Sequence, residues 1–146
     1  MKISTRIRYG TRLMVALAMN YGKGPVLLKD IAQLENISEK YLGQIIIPLK
    51  AAGLVVSFRG SKGGYSLNRK PIKITINDIA RALEGDYNLV DCINDHSACD
   101  RIDTCITQDI WFTLEKNITK TLSGISLGDL VLKAHHKRKQ ILNYNI

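Results

Sequence analysis

Residues 36–67, NISEKYLGQIIIPLKAAGLVVSFRGSKGGYSL, hold the pattern that decides the fold. Ser38 can cap a helix that ends at Gly53, although Pro48 lies inside it and is expected to kink or weaken it. The stretch 54–67 then predicts two short strands joined by a basic, glycine-rich tip, because β-branched and aromatic residues flank the glycines. A helix followed by a hairpin with a basic tip is typical of a winged DNA-binding domain.

Two further helices are expected upstream of this stretch. The first begins at a cap formed by Ser4 or Thr5 and runs to about Tyr21, with apolar residues at helical spacing. The second is short, lies near residues 28–35, and is joined to the next helix by the tight turn 36–38. Helix, turn, helix and hairpin in this order describe a winged helix-turn-helix.

The second half of the chain predicts helices separated by one irregular segment. A helix opens at residues 75–78 and stops at Gly85, and residues 86–104 then show no periodicity. From Ile106 the pattern is helical again, and Ser126 can cap a last helix that runs through Lys139. An apolar stripe lies along the long helix, at Ile106, Ile110, Leu114, Ile118 and Leu122. This stripe is a candidate dimer interface, with packing inside one subunit as the alternative.

The predicted fold is mainly α with a small β-hairpin wing, a winged helix-turn-helix followed by a long dimerisation helix. Three parts are expected along the chain. Residues 1–85 would form the DNA-binding domain and residues 86–105 a cysteine-containing loop. Residues 106–146 would supply the dimerisation helix and the C-terminal helix.

The excess of positive charge lies entirely in the first half of the chain. Residues 1–70 hold twelve Lys or Arg and three Asp or Glu, a balance of +9, whereas residues 71–146 hold nine and ten, a balance of −1. This asymmetry indicates a nucleic-acid-binding half joined to a half with another task. A surface that is merely solubilising is the alternative.

Six residues are the candidate DNA contacts. Gln44 can make paired hydrogen bonds to adenine, and Lys40 can donate to guanine or to a phosphate. Tyr41 can contact a phosphate or pack at the edge of the helix. Arg59 at the wing can enter a narrow minor groove. The full set comprises Ser38, Lys40, Tyr41 and Gln44 on the recognition helix, with Arg59 and Lys62 at the wing.

The only three cysteines of the chain, Cys92, Cys99 and Cys105, lie within fourteen residues of one another. Clustered thiolates are soft ligands, and they suit zinc or an iron–sulfur cluster. The paired C-x2-C spacing of structural zinc sites is absent, and the wide spacings favour a cluster. A cluster needs a fourth ligand. The candidates within the sequence are His96, Gln108, Asp95, Asp100, Asp103 and Asp109.

Short segments spread along the chain resemble those of the bacterial IscR/NsrR family of iron–sulfur winged-helix transcription factors. The resemblance runs from about Met1 to about Val131. It is carried by Arg8-Tyr9-Gly10, by residues 37–42, by Gly53-Leu54-Val55 and Gly63-Gly64-Tyr65, by the three cysteines, by Ile110-Trp111 and by residues 125–130.

The resemblance implies a homodimer built on the long helix that binds a pseudo-palindromic operator in double-stranded DNA. It also implies a 2Fe–2S or 4Fe–4S cluster held by Cys92, Cys99 and Cys105, whose state alters the affinity for DNA. Three departures stand out. Gln108 occupies the position of a histidine ligand in IscR-like members, Arg8 that of an aspartate ligand in nitric-oxide-sensing members, and Gly43 that of an acidic residue in IscR. The fourth ligand is therefore a loop residue, a small molecule or a vacant position.

The expected function is a DNA-binding transcriptional regulator, a repressor, controlled by an iron–sulfur cluster that senses iron, redox state or nitric oxide. A winged-helix regulator with a thiol switch or zinc in place of the cluster is the alternative. No nucleophile–base pair and no cofactor loop indicates an enzyme. The chain has no long apolar stretch and no signal-peptide pattern at Met1-Lys2-Ile3, and its cysteine count is odd, so a cytoplasmic protein without membrane contact is expected.

Overall fold

The computed structural model describes residues 1–86 and 88–145 of the chain. Over these residues it contains six α-helices and one two-stranded antiparallel sheet. In chain order the elements are α1 (Thr5–Met19), α2 (Leu28–Glu35), α3 (Glu39–Ala51), β1 (Val55–Phe58), β2 (Gly64–Leu67), α4 (Ile76–Glu84), α5 (Gln108–Ser123) and α6 (Leu127–Tyr144). The mainly helical fold with a hairpin wing is as the sequence predicts.

Side-chain caps begin four of the helices. Ser4 accepts a hydrogen bond from the amide of Ile7 at the start of α1, and Ser38 accepts one from the amide of Tyr41 at the start of α3. The other two, α4 and α6, begin with reciprocal capping boxes, in which each side chain bonds to the other residue's backbone amide. The boxes pair Thr75 with Asp78 and Ser126 with Asp129.

The helix-turn-helix is formed by α2, α3 and the turn between them. Asn36 ends α2 in the left-handed conformation, with φ of 53°, which reverses the chain so that Ser38 can open α3. Pro48, which was expected to kink or weaken α3, does not end it, since the helix runs through Pro48 to Ala51. At the start of the fold, α1 ends at Met19 rather than near Tyr21.

The wing has a third backbone segment that the sequence did not indicate. Val26, in the link between α1 and α2, exchanges two backbone hydrogen bonds with Tyr65, at 2.9 and 2.8 Å. Gly64, with φ of 139°, allows this approach, because a Cβ atom there would lie 2.6 Å from the carbonyl oxygen of Val26. The hairpin is therefore anchored to the start of the helix-turn-helix.

One hydrophobic core joins the winged-helix elements and extends to the start of α6. It includes Leu13 and Met14 of α1, Leu49 of α3 and Ile79 of α4, and fully buried Leu127 of α6 belongs to the same cluster. By contrast, α5 has no buried residue, and α6 has none after Leu127. Among the helices of residues 1–86 and 88–145, none has the length and hydropathy needed to cross a lipid bilayer.

Candidate nucleic-acid interface and cysteine loop

The outward face of α3 displays the side chains expected to contact DNA bases. Lys40 and Gln44 are exposed, and they lie four residues apart, hence on the same side of the helix. Ser38 is occupied in capping α3, where its hydroxyl accepts from the Tyr41 amide at 3.0 Å. Tyr41 is half-buried and packs edge-on against Tyr9 of α1, with ring centroids 5.9 Å apart.

The wing tip carries two exposed cations on a tight backbone turn. Arg59 precedes, and Lys62 lies within, a turn that the Gly63 amide closes on the Gly60 carbonyl at 3.0 Å. Gly60 has φ of 97°, and a Cβ atom on Gly63 would lie 2.5 Å from the Phe58 carbonyl oxygen. The turn therefore needs both glycines. Within the described residues, neither Arg59 nor Lys62 has a carboxylate within 4.0 Å.

Arg12, a cation of the first helix, serves the fold. Its Nε atom lies 2.8 Å from a carboxylate oxygen of Glu35, at the end of α2. Its guanidinium also donates to the Glu35 carbonyl and lies 5.5 Å from the ring centre of Tyr9. These contacts tie α1 to the end of α2 in the helix-turn-helix.

The cysteine loop is built from three short 3-10 turns, at residues 91–93, 96–98 and 102–104. Cys99 is exposed, and Cys92 and Cys105 are half-buried; all three are free thiols. The Sγ atom of Cys105 lies 3.3 Å from the hydroxyl of Thr107. Hydrogen bonds from the side chain and then the backbone of Thr107 lower the pKa of the Cys105 thiol.

Two hydrogen bonds attach this loop to the long helix. The side-chain amide of Gln108, the first residue of α5, donates to the Cys92 carbonyl at 3.4 Å. About two helical turns further along, Glu115 accepts from the Leu89 amide at 3.2 Å. Neither Glu115 nor Thr107 was singled out by the sequence, because a contact between a helix and a loop without periodicity leaves no pattern.

The three cysteines do not form a ready-made metal site in this conformation. Across residues 1–86 and 88–145, no three His, Cys, Asp or Glu side chains are grouped so that they could hold one metal ion. Three thiolates are the kind of donor set that an iron–sulfur cluster uses, and holding one would require the loop to bring all three sulfurs together.

The proposed fourth ligands are dispersed. His96 is exposed in its short turn, and Asp95 caps that turn by accepting from Ser97, whose hydrogen bonds lower the pKa of the carboxyl group. Gln108 is directed to the Cys92 backbone, and Arg8 bonds within α1 to Thr5 at 3.2 Å. The remaining candidates, Asp100, Asp103 and Asp109, are all exposed.

The apolar stripe of the long helix divides into two parts. The expected helical start at Ile106 is wrong, because α5 begins at Gln108 and Ile106 precedes it with 91% of its surface exposed. Ile110 is 55% exposed, and its neighbours Trp111 and Phe112 are exposed too. Leu114 and Ile118 are half-buried, and Leu122 packs against the winged-helix core.

Comparison with known proteins identifies this combination of wing, helix-turn-helix and long helix. Residues 3–133 match the family model for Rrf2, an iron-dependent transcriptional regulator. The chain belongs to the Rrf2 family. Relatives of the chain in this family are named HTH-type transcriptional regulators, not enzymes, and membership of the family supports a DNA-binding role in transcription.

Individual Rrf2-family proteins resemble the chain over most of its length. It is 42% identical to the HTH-type transcriptional regulator CymR of Bacillus subtilis over 130 residues, 89% of each chain. It is 40% identical to the protein rrf2 of Nitratidesulfovibrio vulgaris over 134 residues, 92% of this chain and 89% of that one.

Solved structures of Rrf2-family proteins share the fold. The structure of CymR, described as the global cysteine regulator of B. subtilis, superposes with a TM-score of 0.77 at 40% identity, covering 91% of this chain and 98% of that one. IscR of T. potens superposes with a TM-score of 0.76 at 39% identity, covering 92% and 88%. The family thus includes proteins named for cysteine regulation and proteins of the IscR type.

Proposed function

We propose that this Rrf2-family protein is a homodimeric repressor that binds a pseudo-palindromic operator, and that its affinity for DNA is controlled at the cysteine loop. The main candidate for the control element is an iron–sulfur cluster, 2Fe–2S or 4Fe–4S, that responds to iron, redox state or nitric oxide. The observation that carries the proposal is the attachment of the cysteine loop to α5 through Gln108 and Cys92, since α5 packs against the DNA-binding domain at its other end through Leu122.

The DNA contacts are assigned from exposure and helix geometry. In a helix-turn-helix, the N-terminal part of the second helix enters the major groove. Lys40 and Gln44 are exposed on that part of α3 and supply base contacts, while Ser38 and Tyr41 lie beside them at the groove edge. Arg59 and Lys62 extend from the wing toward the neighbouring backbone or minor groove.

Dimerisation is assigned to α5. No side chain of this sixteen-residue helix is fully buried in the single subunit. Ile110, Trp111 and Phe112 near its start remain exposed to water unless a second copy covers them. The interface would centre on Ile110 and include Ile106, Leu114 and Ile118, with Leu122 at the boundary of the winged-helix core. Two recognition helices related by a two-fold axis would then meet two half-sites, which requires a pseudo-palindromic operator.

The cluster is assigned to Cys92, Cys99 and Cys105 on the chemistry of three thiolates and on the iron dependence of the family. The loop must close for the three sulfurs to reach one cluster. Such a closure would displace the backbone of Cys92 and so act on Gln108 at the start of α5. In this way the state of the loop would reach the dimer interface and the spacing of the two recognition helices.

An anaerobic preparation tests the assignment. Purified without oxygen or reconstituted with iron and sulfide, the protein is expected to absorb visible light and to contain iron and acid-labile sulfide. Cys99→Ser is expected to remove the absorption while the dimer stays intact. A protein that stays colourless and free of iron after reconstitution would remove the cluster from the proposal and leave the DNA-binding role standing.

A thiol switch, or zinc, is the second candidate for control. The free thiols of Cys92, Cys99 and Cys105 and the similarity to a protein described as a cysteine regulator favour the thiol switch. In the switch, a peroxide oxidises the Cys105 thiolate to a sulfenic acid, and a second cysteine thiol then displaces water to form a disulfide. A peroxide-dependent disulfide that changes operator affinity would support the switch, and stoichiometric zinc without sulfide would support the metal.

The proposed location is the cytoplasm. A regulator that represses bacterial genes must meet its operator on the chromosome, and free thiols persist in a reducing compartment. Fractionation of cells that express a tagged chain would test it.

A further inference from the structure

One large apolar side chain stands on the outward face of the recognition helix. Ile47 is 66% exposed, whereas the other large aliphatic residues of α3 are buried, namely Leu42, Ile45, Ile46 and Leu49. We infer that Ile47 contacts the C5-methyl group of one thymine in each operator half-site and thereby selects a T·A pair at that position. The inference rests on the DNA-binding role proposed above.

The position of Ile47 places it among the expected base contacts. It follows Lys40 by seven residues and Gln44 by three, which is the spacing of side chains on one helical face. Both of those residues are exposed. The buried residues lie on the opposite side of α3, against the core. A helix that docks with Lys40 and Gln44 toward the bases therefore brings Ile47 to the same groove.

The space beside Ile47 is open because of Gly43. Side chains of a helix lean toward its N-terminus, so the side chain of Ile47 leans over position 43, four residues earlier. Gly43 has no side chain, and apart from its chain neighbours and the adjacent backbone of α3 no atom lies within 4 Å of the place that its Cβ would take. Because position 43 carries no side chain, the surface beside the exposed Ile47 is open on that side and can admit a methyl group.

The chemistry of the major groove supplies an apolar partner of the right size. Thymine presents a methyl group there, and the other three bases do not. Gln44 suits adenine, and it lies three residues before Ile47, about 4.5 Å along the helix axis. That distance is close to the roughly 3.4 Å rise between base pairs. The thymine is therefore expected one base pair, or at most two, from the adenine that Gln44 contacts.

The test compares thymine with uracil, which differ only in the methyl group. An operator is first selected from random double-stranded DNA with the full-length protein, and each thymine is then replaced singly by deoxyuridine. At one thymine in each half-site, removing the methyl group is expected to lower the affinity of the protein for the operator about fourfold. This loss is equivalent to about 0.8 kcal/mol for one buried carbon. The Ile47→Ala variant is expected to bind the unmodified operator more weakly, and replacing the same thymine by deoxyuridine should not weaken its binding further.

Ile72→Ala is the matched control, because Ile72 is also 66% exposed but precedes α4 rather than lying on α3. This variant is expected to keep the full loss at the sensitive thymine. The inference is overturned if no thymine is sensitive, or if the loss is the same in the unmodified protein and in Ile47→Ala. A protein that enriches no sequence at all would instead overturn the proposed DNA-binding function.

Discussion

Thr75 and Ser126 face each other across an antiparallel bridge, and each is the N-cap of a helix. The Ile76 amide donates to the Ile125 carbonyl at 2.9 Å, and the Leu127 amide donates to the Ile74 carbonyl at 2.8 Å. The starts of α4 and α6 are thus joined directly. Because α4 belongs to the winged helix and α6 follows the long helix, this bridge couples the C-terminal half to the DNA-binding half.

Replacing the N-cap of α6 should weaken the fold at this joint. In Ser126→Ala the amide of Asp129 loses its side-chain acceptor at a buried position. The free energy of unfolding is expected to fall by about 1 kcal/mol, the usual effect of losing such a cap. Denaturant titration followed by circular dichroism measures it. Ser61→Ala, at the exposed wing tip, is the control and should leave the stability unchanged.

The same capping box should make stability depend on pH. Backbone and side-chain hydrogen bonds from Ser126 lower the pKa of the Asp129 carboxyl group below its ordinary value of 3.8. A lowered pKa in the folded state means that the contribution is complete above the ordinary value and is lost as the pH falls through the lowered one. Below about pH 4, the unmodified protein should therefore lose stability more steeply than Asp129→Asn.

Thermal unfolding of both proteins at several pH values, from about pH 2 to about pH 7, checks this prediction, because this range lies on both sides of the ordinary pKa of an Asp carboxyl group. Asp100→Asn makes the same change of charge at an exposed position outside the caps and should keep the steep profile. Parallel profiles for Asp129→Asn and the unmodified protein would show that the box does not govern this pH dependence.

Arg59 at the wing should contribute to operator binding and nothing to the fold. Arg59→Ala removes an exposed cation from the hairpin tip, so operator affinity is expected to fall about tenfold, equivalent to about 1.4 kcal/mol. A plot of the logarithm of affinity against the logarithm of salt concentration should also become shallower by about one unit, because one phosphate contact is lost. Fluorescence anisotropy at several salt concentrations gives both values. Lys120→Ala removes a cation from α5 instead and should change neither.

A charge at the centre of the proposed interface should separate the subunits. In Ile110→Asp an exposed apolar residue becomes a carboxylate, which is tolerated in water but not between two packed helices. Sedimentation equilibrium is expected to give a monomer with unchanged helix content, and operator affinity should fall with it. Ile72→Asp makes the same change outside α5 and should stay dimeric. A dimeric Ile110→Asp would exclude this face of α5 as the interface.

Much of the DNA-binding half could be predicted from sequence because its signals are local. The cap at Ser38, the glycines of the wing and the reciprocal boxes at the starts of α4 and α6 each depend on a few neighbouring residues. The bridge from Val26 to Tyr65 was missed, since one paired residue beside Pro25 has no alternating pattern. Pro48 was expected to kink or weaken α3, and the helix nevertheless continues through it to Ala51.

The cysteine-containing half was harder to predict because its few contacts join residues that are far apart in the sequence. The apolar period suggested a helix from Ile106, but the helix begins at Gln108, whose side chain bonds back to Cys92 across sixteen residues. Thr107 acts on Cys105 through a hydroxyl that no composition pattern distinguishes. The cysteine positions predicted a metal or redox site from the sequence. The residues that contact the cysteines could be recognised only in the folded structure.

The most direct test of the account measures cluster content and operator affinity on the same anaerobic preparations of the unmodified protein and of Cys99→Ser. We expect iron, acid-labile sulfide and visible absorption in the unmodified protein, and its operator affinity should change when a chelator removes the iron. Cys99→Ser should be dimeric and colourless, and its operator affinity should not respond to the chelator. An unmodified protein that takes up no iron and binds its operator equally well with and without chelator and oxidant would contradict control at the cysteine loop.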